Sequence, residues 1–288
     1  MRCDWKKHNL SSEWLDNMGI YGDLPRRMFI TPIVLNLISH LVTENKDLLH
    51  VQEKGIIKYT SILLSDNYTP KMLEEYSSLK ALNCLDLGCG EGYLNRHLIN
   101  LRLNYIGIDS NYAFIKKAKQ LKQSRSDKYL IIDLNKFGTD RVQQSIIALA
   151  NKRFDPCGAL IVFCHILIEH LDNPVQFLKT LRKMLTRNFP KAIVSFIILN
   201  EEFFSRNVIT KKKSSFSIVK YKGELIIPDT SAKVTVNFLS IDRFVSYLTR
   251  IGFEIIDLLN FDNSLYPKHI WKKFLQTDIG PFSALILH

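Results

Sequence analysis

Short apolar runs alternate with longer amphipathic ones from residue 82 to residue 199, and few folds accept that rhythm. Asn83–Leu87, Asn104–Ile108, Tyr129–Asp133, Ala159–Cys164 and Ala192–Leu199 read as strands. Helices are expected between them over Gly92–Asn100, Tyr112–Lys122, Arg141–Ala150 and Pro174–Leu185. A crossover between neighbouring parallel strands needs about a helix of chain, so the alternation implies a parallel sheet with helices on both faces.

The flanks are patterned differently. Residues 1–50 read as helical, with Trp5, Trp14, Tyr21, Phe29 and the cluster from Ile33 to Leu41 on an apolar face, and with Pro25 and Pro32 where helices would begin. After Leu199 the rhythm breaks. Ser215–Lys220 and Glu224–Ile227, separated by Lys222-Gly223, read as a hairpin, followed by the extended run Val234–Phe238. A helix over Ser240–Arg250 stopped by Gly252, a strand over Phe253–Asn260 and a last strand over Ser283–His288 complete the chain. A length of 288 residues admits two domains. The pattern favours one, 1–288, divided into a helical lead-in (1–79), a core (80–199), an insertion (200–238) and a C-terminal helix with the last strands (239–288).

Composition narrows the setting. Hydrophobic residues at 46% and charged ones at 23% exclude a disordered or collagen-like chain. Five cysteines without CxxC or paired Cys/His spacing argue against a disulfide framework or a zinc site, so the expected compartment is the reducing cytoplasm. No apolar run is long enough for a membrane span, and no signal core is expected at the start. The net charge of +11 invites a nucleic-acid partner. Residues 1–79 are close to neutral, however, and the excess is scattered lysine, with Lys211-Lys212-Lys213 the one triple run. That distribution fits a solvated surface better than a phosphate-binding face.

The sharpest local signal is the strand Asn83–Leu87 running into Gly88, Cys89, Gly90, Glu91 and Gly92 and then a helix. Glycines let the chain turn tightly and let a ligand approach the backbone, although a bare glycine triple is also an ordinary strand–helix turn. Here Tyr105-Ile-Gly-Ile-Asp109 follows and puts a carboxylate at the end of the second strand, where it can accept both ribose hydroxyls. Asp86 precedes the glycines. A carboxylate there repels a pyrophosphate and suits a cationic amino group, which points to S-adenosylmethionine rather than a dinucleotide.

Leu85-Asp-Leu-Gly-Cys-Gly-Glu-Gly92 resembles the first motif of the class I S-adenosylmethionine-dependent methyltransferases. The resemblance is specific over about residues 80–200. It implies a Rossmann-like α/β fold: a seven-stranded, mostly parallel sheet with an antiparallel last strand, helices on both faces, an N-terminal helical cap and an inserted lid. It places Asp86 near the methionine moiety, Asp109 on the ribose and Asp133 on the adenine amine. Gly88, Cys89, Gly90, Tyr93, Ser110, Leu134 and Cys164 complete the implied cofactor set, and Arg26 or Arg27 is expected to fork onto the methionine carboxylate or else to be a solvated charge.

Methyl transfer from a sulfonium is an in-line displacement, so positioning supplies much of the rate and a base is optional. His165, at the end of the fourth strand, is the first candidate base and His170 the second. Glu169-His170 resembles the end of a metal-binding Glu-x-x-Glu-His found in some relatives of this fold, but Ile166 stands where the first glutamate would be, so no metal is expected. Phe203, Phe204, Phe216 and Tyr221 are candidates for an acceptor wall or for lid core. The expectation is an enzyme that methylates an O or N atom of a small molecule and releases S-adenosylhomocysteine. The alternatives are an RNA or tRNA methyltransferase and a non-catalytic binding protein that keeps the fold.

Overall fold

Strand β1 (Leu82–Leu87) is buried along its whole length because parallel neighbours flank it on both edges and packed layers cover both faces. The computed structural model describes residues 26–42, 58–59, 62–63, 82–98, 103–122, 124, 126–204, 208–226, 233–262 and 279–288. In chain order the elements are α1 (Thr31–Val42), β1, α2 (Tyr93–His97), β2 (Leu103–Asp109), α3 (Tyr112–Leu121), β3 (Lys128–Ile131), α4 (Asp140–Arg153), β4 (Ala159–His165), α5 (Pro174–Asn188), β5 (Ile193–Leu199), α6 (Glu201–Phe204), β6 (Val208–Lys212), β7 (Val219–Ile226), β8 (Lys233–Leu239), α7 (Ile241–Arg250), β9 (Ile255–Asp262) and β10 (Ile279–Leu287).

Seven strands form one sheet in the order β3-β2-β1-β4-β5-β10-β9. The first five are parallel, and β10 runs antiparallel between β5 and β9, with Leu285 opposite both Phe196 and Leu258. The strand order reverses between β1 and β4. In open α/β sheets the crevice at such a reversal, beyond the carboxyl ends of the strands, is where ligands bind.

Alternation along each strand divides the core into two layers. Cys84, Tyr105, Phe163 and Ile197 face the layer that contains α1, while Leu85, Ile106, Val162 and Phe196 face the layer that contains α5 and α7. On the α1 side Ile33, Val34, Leu37 and Ile38 are fully buried, and Pro32 sits in the first turn, where its missing N–H leaves no helical bond unmade. Helix α1 is preceded by a π-helical turn over Arg26–Ile30. Trp5, Trp14, Tyr21 and Pro25 lie outside the described residues.

The insertion folds differently from the hairpin expected at Lys222-Gly223. Those two residues lie in the middle of β7, which pairs antiparallel with β6 on one edge and β8 on the other. Gly223 serves close approach rather than a turn, since a Cβ there would lie 2.8 Å from the Phe238 ring on β8. Phe204 and Tyr221 pack into the α1 layer and Phe216 into the α5 layer, so these three rings do not form one continuous wall, and the Phe203 side chain lies outside the described residues. Lys211 and Lys220 both pair with Glu201, which also accepts a hydrogen bond from the Tyr221 hydroxyl. Gly252, at φ 96°, ends α7 in the left-handed conformation that favours glycine.

Candidate active site

The carboxyl ends of β1, β2 and β4 meet at the glycine loop. Gly88, Gly90 and Gly92 all adopt positive φ, at 83°, 55° and 72°. The loop is tied to β2 by the Gly88 and Cys89 N–H groups, which both donate to the Ile108 carbonyl. Packing bears on two of the glycines: a Cβ on Gly92 would lie 2.8 Å from the Tyr129 hydroxyl, too close to fit, and one on Gly88 would lie 3.2 Å from Leu167, a tight contact. Gly90 differs, because a Cβ there would meet nothing within 4 Å. Its open face is space beside the backbone that a ligand can fill.

Asp109 closes the loop from the other side. Its Oδ2 accepts from the Gly90 N–H at 3.0 Å and its Oδ1 from the Asn111 N–H at 2.7 Å, while Asn111 caps α3 through Ala113 and Phe114. Burial pushes the Asp109 carboxyl up to about 6 despite those hydrogen bonds. Asp86 is buried on the α1 face of β1, accepts a hydrogen bond from the Tyr105 hydroxyl, and is pushed up to about 7 by desolvation. Between them Glu91 is held by Arg96, whose Nη1 donates to the Glu91 carbonyl at 2.6 Å and whose Nη2 lies 3.2 Å from its carboxylate, both side chains being buried. Among the described residues no Lys or Arg salt bridge reaches Asp86 or Asp109. The pocket therefore carries uncompensated negative charge and favours a cation.

Residues 85–188 match the family model described as "Methyltransferase domain". That stretch resembles a methyltransferase domain and holds the glycine loop, Asp86 and Asp109. Among curated proteins the chain is 24% identical over 130 residues to the ubiquinone biosynthesis O-methyltransferase of Histophilus somni, covering 45% of this chain and 50% of that one. It is 29% identical over 138 residues to the mitochondrial ubiquinone biosynthesis O-methyltransferase of Dictyostelium discoideum, covering 44% and 38%. This chain thus spans half or less of the length of these relatives. The CcbJ methyltransferase of Streptomyces caelestis shares the fold over 99% of this chain and 97% of its own, with a TM-score of 0.54 at 9% identity. The cofactor that this resemblance implies is S-adenosylmethionine. The residues present fit it, because the open side of Gly90 leaves room beside the backbone and the two uncompensated carboxylates suit a cationic ligand.

The remaining expected site residues fall in three groups. Asp133 is half-buried at the end of β3 and caps the 3-10 turn Leu134–Lys136 by accepting from the Asn135 N–H at 3.1 Å, so β3 ends at Ile131 instead of continuing through Asp133. Ser110 is half-buried beside Asp109. Cys89, Leu134 and Cys164 are packed into the core, where Cys164 is fully buried on the α5 side, opposite to Asp86. Arg26 stands over the Tyr93 ring at 5.4 Å and Arg27 reaches the Leu63 carbonyl at 3.4 Å.

His165 ends β4 on the same face as Asp86, with Nε2 3.0 Å from the fully buried Ser195 hydroxyl. Burial pushes its conjugate acid down to about 3, and that of His170 to about 4, so both rings are neutral at pH 7. Ile166 follows at φ 51°, a costly conformation for a β-branched residue, held by its N–H bonding to the Ile197 carbonyl at 2.7 Å. Glu169 is buried in the turn behind it and accepts from the Leu199 N–H at 2.6 Å, while its Oε2 has no hydrogen-bond partner. Among the described residues no group of three or more His, Cys, Asp or Glu could hold a metal ion.

The brace at Glu169 makes a testable difference. Burial raises its carboxyl to about 7, so the folded state binds this proton more tightly than the unfolded one, and the contribution to stability falls as pH rises from the unfolded value through 7. Glu169→Gln keeps an acceptor for Leu199 without the charge, and is expected to melt at or above the wild-type temperature at pH 8. Glu169→Ala, which strands the Leu199 N–H, is expected to lose about 1–3 kcal/mol. Differential scanning calorimetry at pH 6 and pH 8 distinguishes the two.

Tyr105, Glu91, Arg96 and Ser195 were not singled out by sequence reasoning. Each acts through a partner on another element or across the glycine turn. The one signal in the chain is polar residues at positions of otherwise apolar strands, as at Tyr105 and Ser195.

Proposed function

We propose that this protein is an S-adenosylmethionine-dependent methyltransferase that acts on an O or N atom of a small molecule. The observation that carries the reading is the carboxylate pair Asp86 and Asp109 facing a glycine loop whose middle residue leaves open space. S-adenosylmethionine would supply a methyl group made electrophilic by its sulfonium. Asp109, already orienting the Gly90 N–H, has lone pairs left for the two ribose hydroxyls. Asp86 suits the amino group, Asp133 the adenine amine, and Arg26 the carboxylate. Gly88, Cys89, Tyr93, Ser110, Leu134 and Cys164 shape the cavity through backbone and packing.

His165 is neutral at physiological pH and faces the same layer as Asp86, so it can accept a hydrogen bond from an acceptor hydroxyl. Its low basicity makes it an orienting group more than a strong base, and His170 shares that limit. Relatives named for O-methylation in ubiquinone biosynthesis favour oxygen in a small molecule. In this reading residues 1–288 form one domain, and the β6-β7-β8 sheet with the N-terminal helices closes over the acceptor. No described helix is long and apolar enough to cross a membrane. A reducing cytoplasmic setting agrees with the free thiols at Cys84, Cys89, Cys157 and Cys164.

The test is transfer of labelled methyl from S-adenosylmethionine into cell extract split into small-molecule and nucleic-acid fractions. The reading expects label in the small-molecule fraction. Label confined to RNA, with affinity that falls steeply with salt, would replace the acceptor class and leave the methyltransferase reading standing.

A further inference from the structure

We propose that Tyr105 is a positioning residue for the cofactor's amino group: its phenol orients the Asp86 carboxylate, favours its anion and leaves the other carboxylate oxygen to meet an ammonium. The inference rests on the S-adenosylmethionine reading above and deepens it.

The geometry is built for this contact. In the β1–β2 register Asp86 lies opposite Gly107, and Tyr105 lies opposite Cys84. The phenol must therefore reach along the face of the sheet, across the position of Gly107, to donate to Asp86 Oδ2. Gly107 makes room for it, since a Cβ there would lie 2.9 Å from Tyr105 Cε1 and 2.8 Å from Tyr129 Cδ1. Tyr129 packs against Tyr105 with ring centroids 5.6 Å apart and is itself held by the Asn95 amide at 3.1 Å. Burial keeps the Tyr105 phenol protonated throughout the neutral range, so it is a fixed donor.

The surroundings make that donor necessary. The groups facing Asp86 are the carboxyls of Asp109 and Glu91 and the buried thiols of Cys84 and Cys89, while the Cys164 thiol lies across the sheet. The guanidinium of Arg96 is engaged with Glu91. Burial and the two carboxylates all favour protonated Asp86, and among the described residues the Tyr105 hydrogen bond is the one interaction that favours the anion. A protonated Asp86 keeps an acceptor oxygen but loses the charge, so it holds a cationic amino group more weakly.

Tyr105→Phe keeps the ring and its packing and removes the hydroxyl. S-adenosylmethionine binding to wild type, Tyr105→Phe and Asp86→Asn would be titrated calorimetrically from pH 6 to pH 9. The expected result for Tyr105→Phe is about fivefold weaker binding at pH 7 that recovers towards pH 9, with the midpoint of the profile about one pH unit higher. Asp86→Asn should bind weakly throughout, without recovery. A purely structural role for the phenol would weaken binding equally at every pH, and that result, or an unchanged profile, overturns the proposal. The Asp86 carboxyl of the unliganded protein, followed by carbon-13 NMR, gives a second readout: its ionisation midpoint should rise in Tyr105→Phe. An unmoved midpoint overturns the inference even where the cofactor binds. Wild type that binds no S-adenosylmethionine at any pH removes the cofactor reading instead.

Discussion

Asp109→Ala is expected to leave a folded protein that binds S-adenosylmethionine at least a hundredfold more weakly than wild type. The carboxylate has two tasks. It holds the Gly90 and Asn111 N–H groups, and with its remaining lone pairs it would accept two ribose hydroxyls. Hydrogen bonds to a charged group contribute about 1.5–3 kcal/mol each, so losing the ribose pair corresponds to a loss of two orders of magnitude or more in affinity. Stability should change little, because removing a carboxyl that burial has raised to about 6 relieves a desolvation cost that offsets the stranded N–H groups. Asp109→Asn keeps one acceptor oxygen and should fall between. Calorimetric titration with a parallel melting curve separates lost binding from lost fold. Wild-type affinity in Asp109→Ala would remove Asp109 from the site.

Gly90→Ala and Gly92→Ala are expected to fail in opposite ways, although they lie two residues apart in one loop. At Gly92 a left-handed φ of 72° costs a side chain about 1–2 kcal/mol. The new Cβ would also press on the Tyr129 hydroxyl and ring at 2.8–2.9 Å. That ring cannot yield cheaply, being packed between Tyr105 and Asn95. The sum is about 3 kcal/mol, or a fall of roughly 6–12 °C in melting temperature. At Gly90 the conformational cost is similar but the Cβ meets no protein atom, so melting should fall by only a few degrees. The methyl group instead occupies the space assigned to the cofactor, and affinity should drop about a hundredfold. Equal effects of the two variants on binding and on melting would show that the opening above Gly90 is not a ligand site.

The sequence carries the parts of this fold that are local. Alternating apolar runs specify β1 to β5 to within about two residues, because a strand buried on both faces has to be apolar along its length. The glycine loop is legible for the same reason: three positive φ values within five residues leave few alternatives to glycine. Where one residue type serves two purposes the reading fails. Gly223 looks like a hairpin turn, yet it sits mid-strand to admit the Phe238 ring. Asp133 looks like the end of a strand, yet it caps the turn that follows. The site was legible through its carboxylates but not through what holds them. Tyr105 beside Asp86, Ser195 beside His165 and Arg96 folded back on Glu91 are pairs fixed by strand register and burial, and the chain itself does not display those.

The central claim is that the crevice at the carboxyl ends of β1, β2 and β4 holds S-adenosylmethionine through Asp86, Asp109 and the glycine loop. Its most direct test is a calorimetric titration of the wild-type protein with S-adenosylmethionine at pH 8, where both carboxyls are ionised. The account predicts saturable binding of one molecule per chain, lost in Asp109→Ala. No heat of binding, or binding that Asp109→Ala leaves intact, would contradict it.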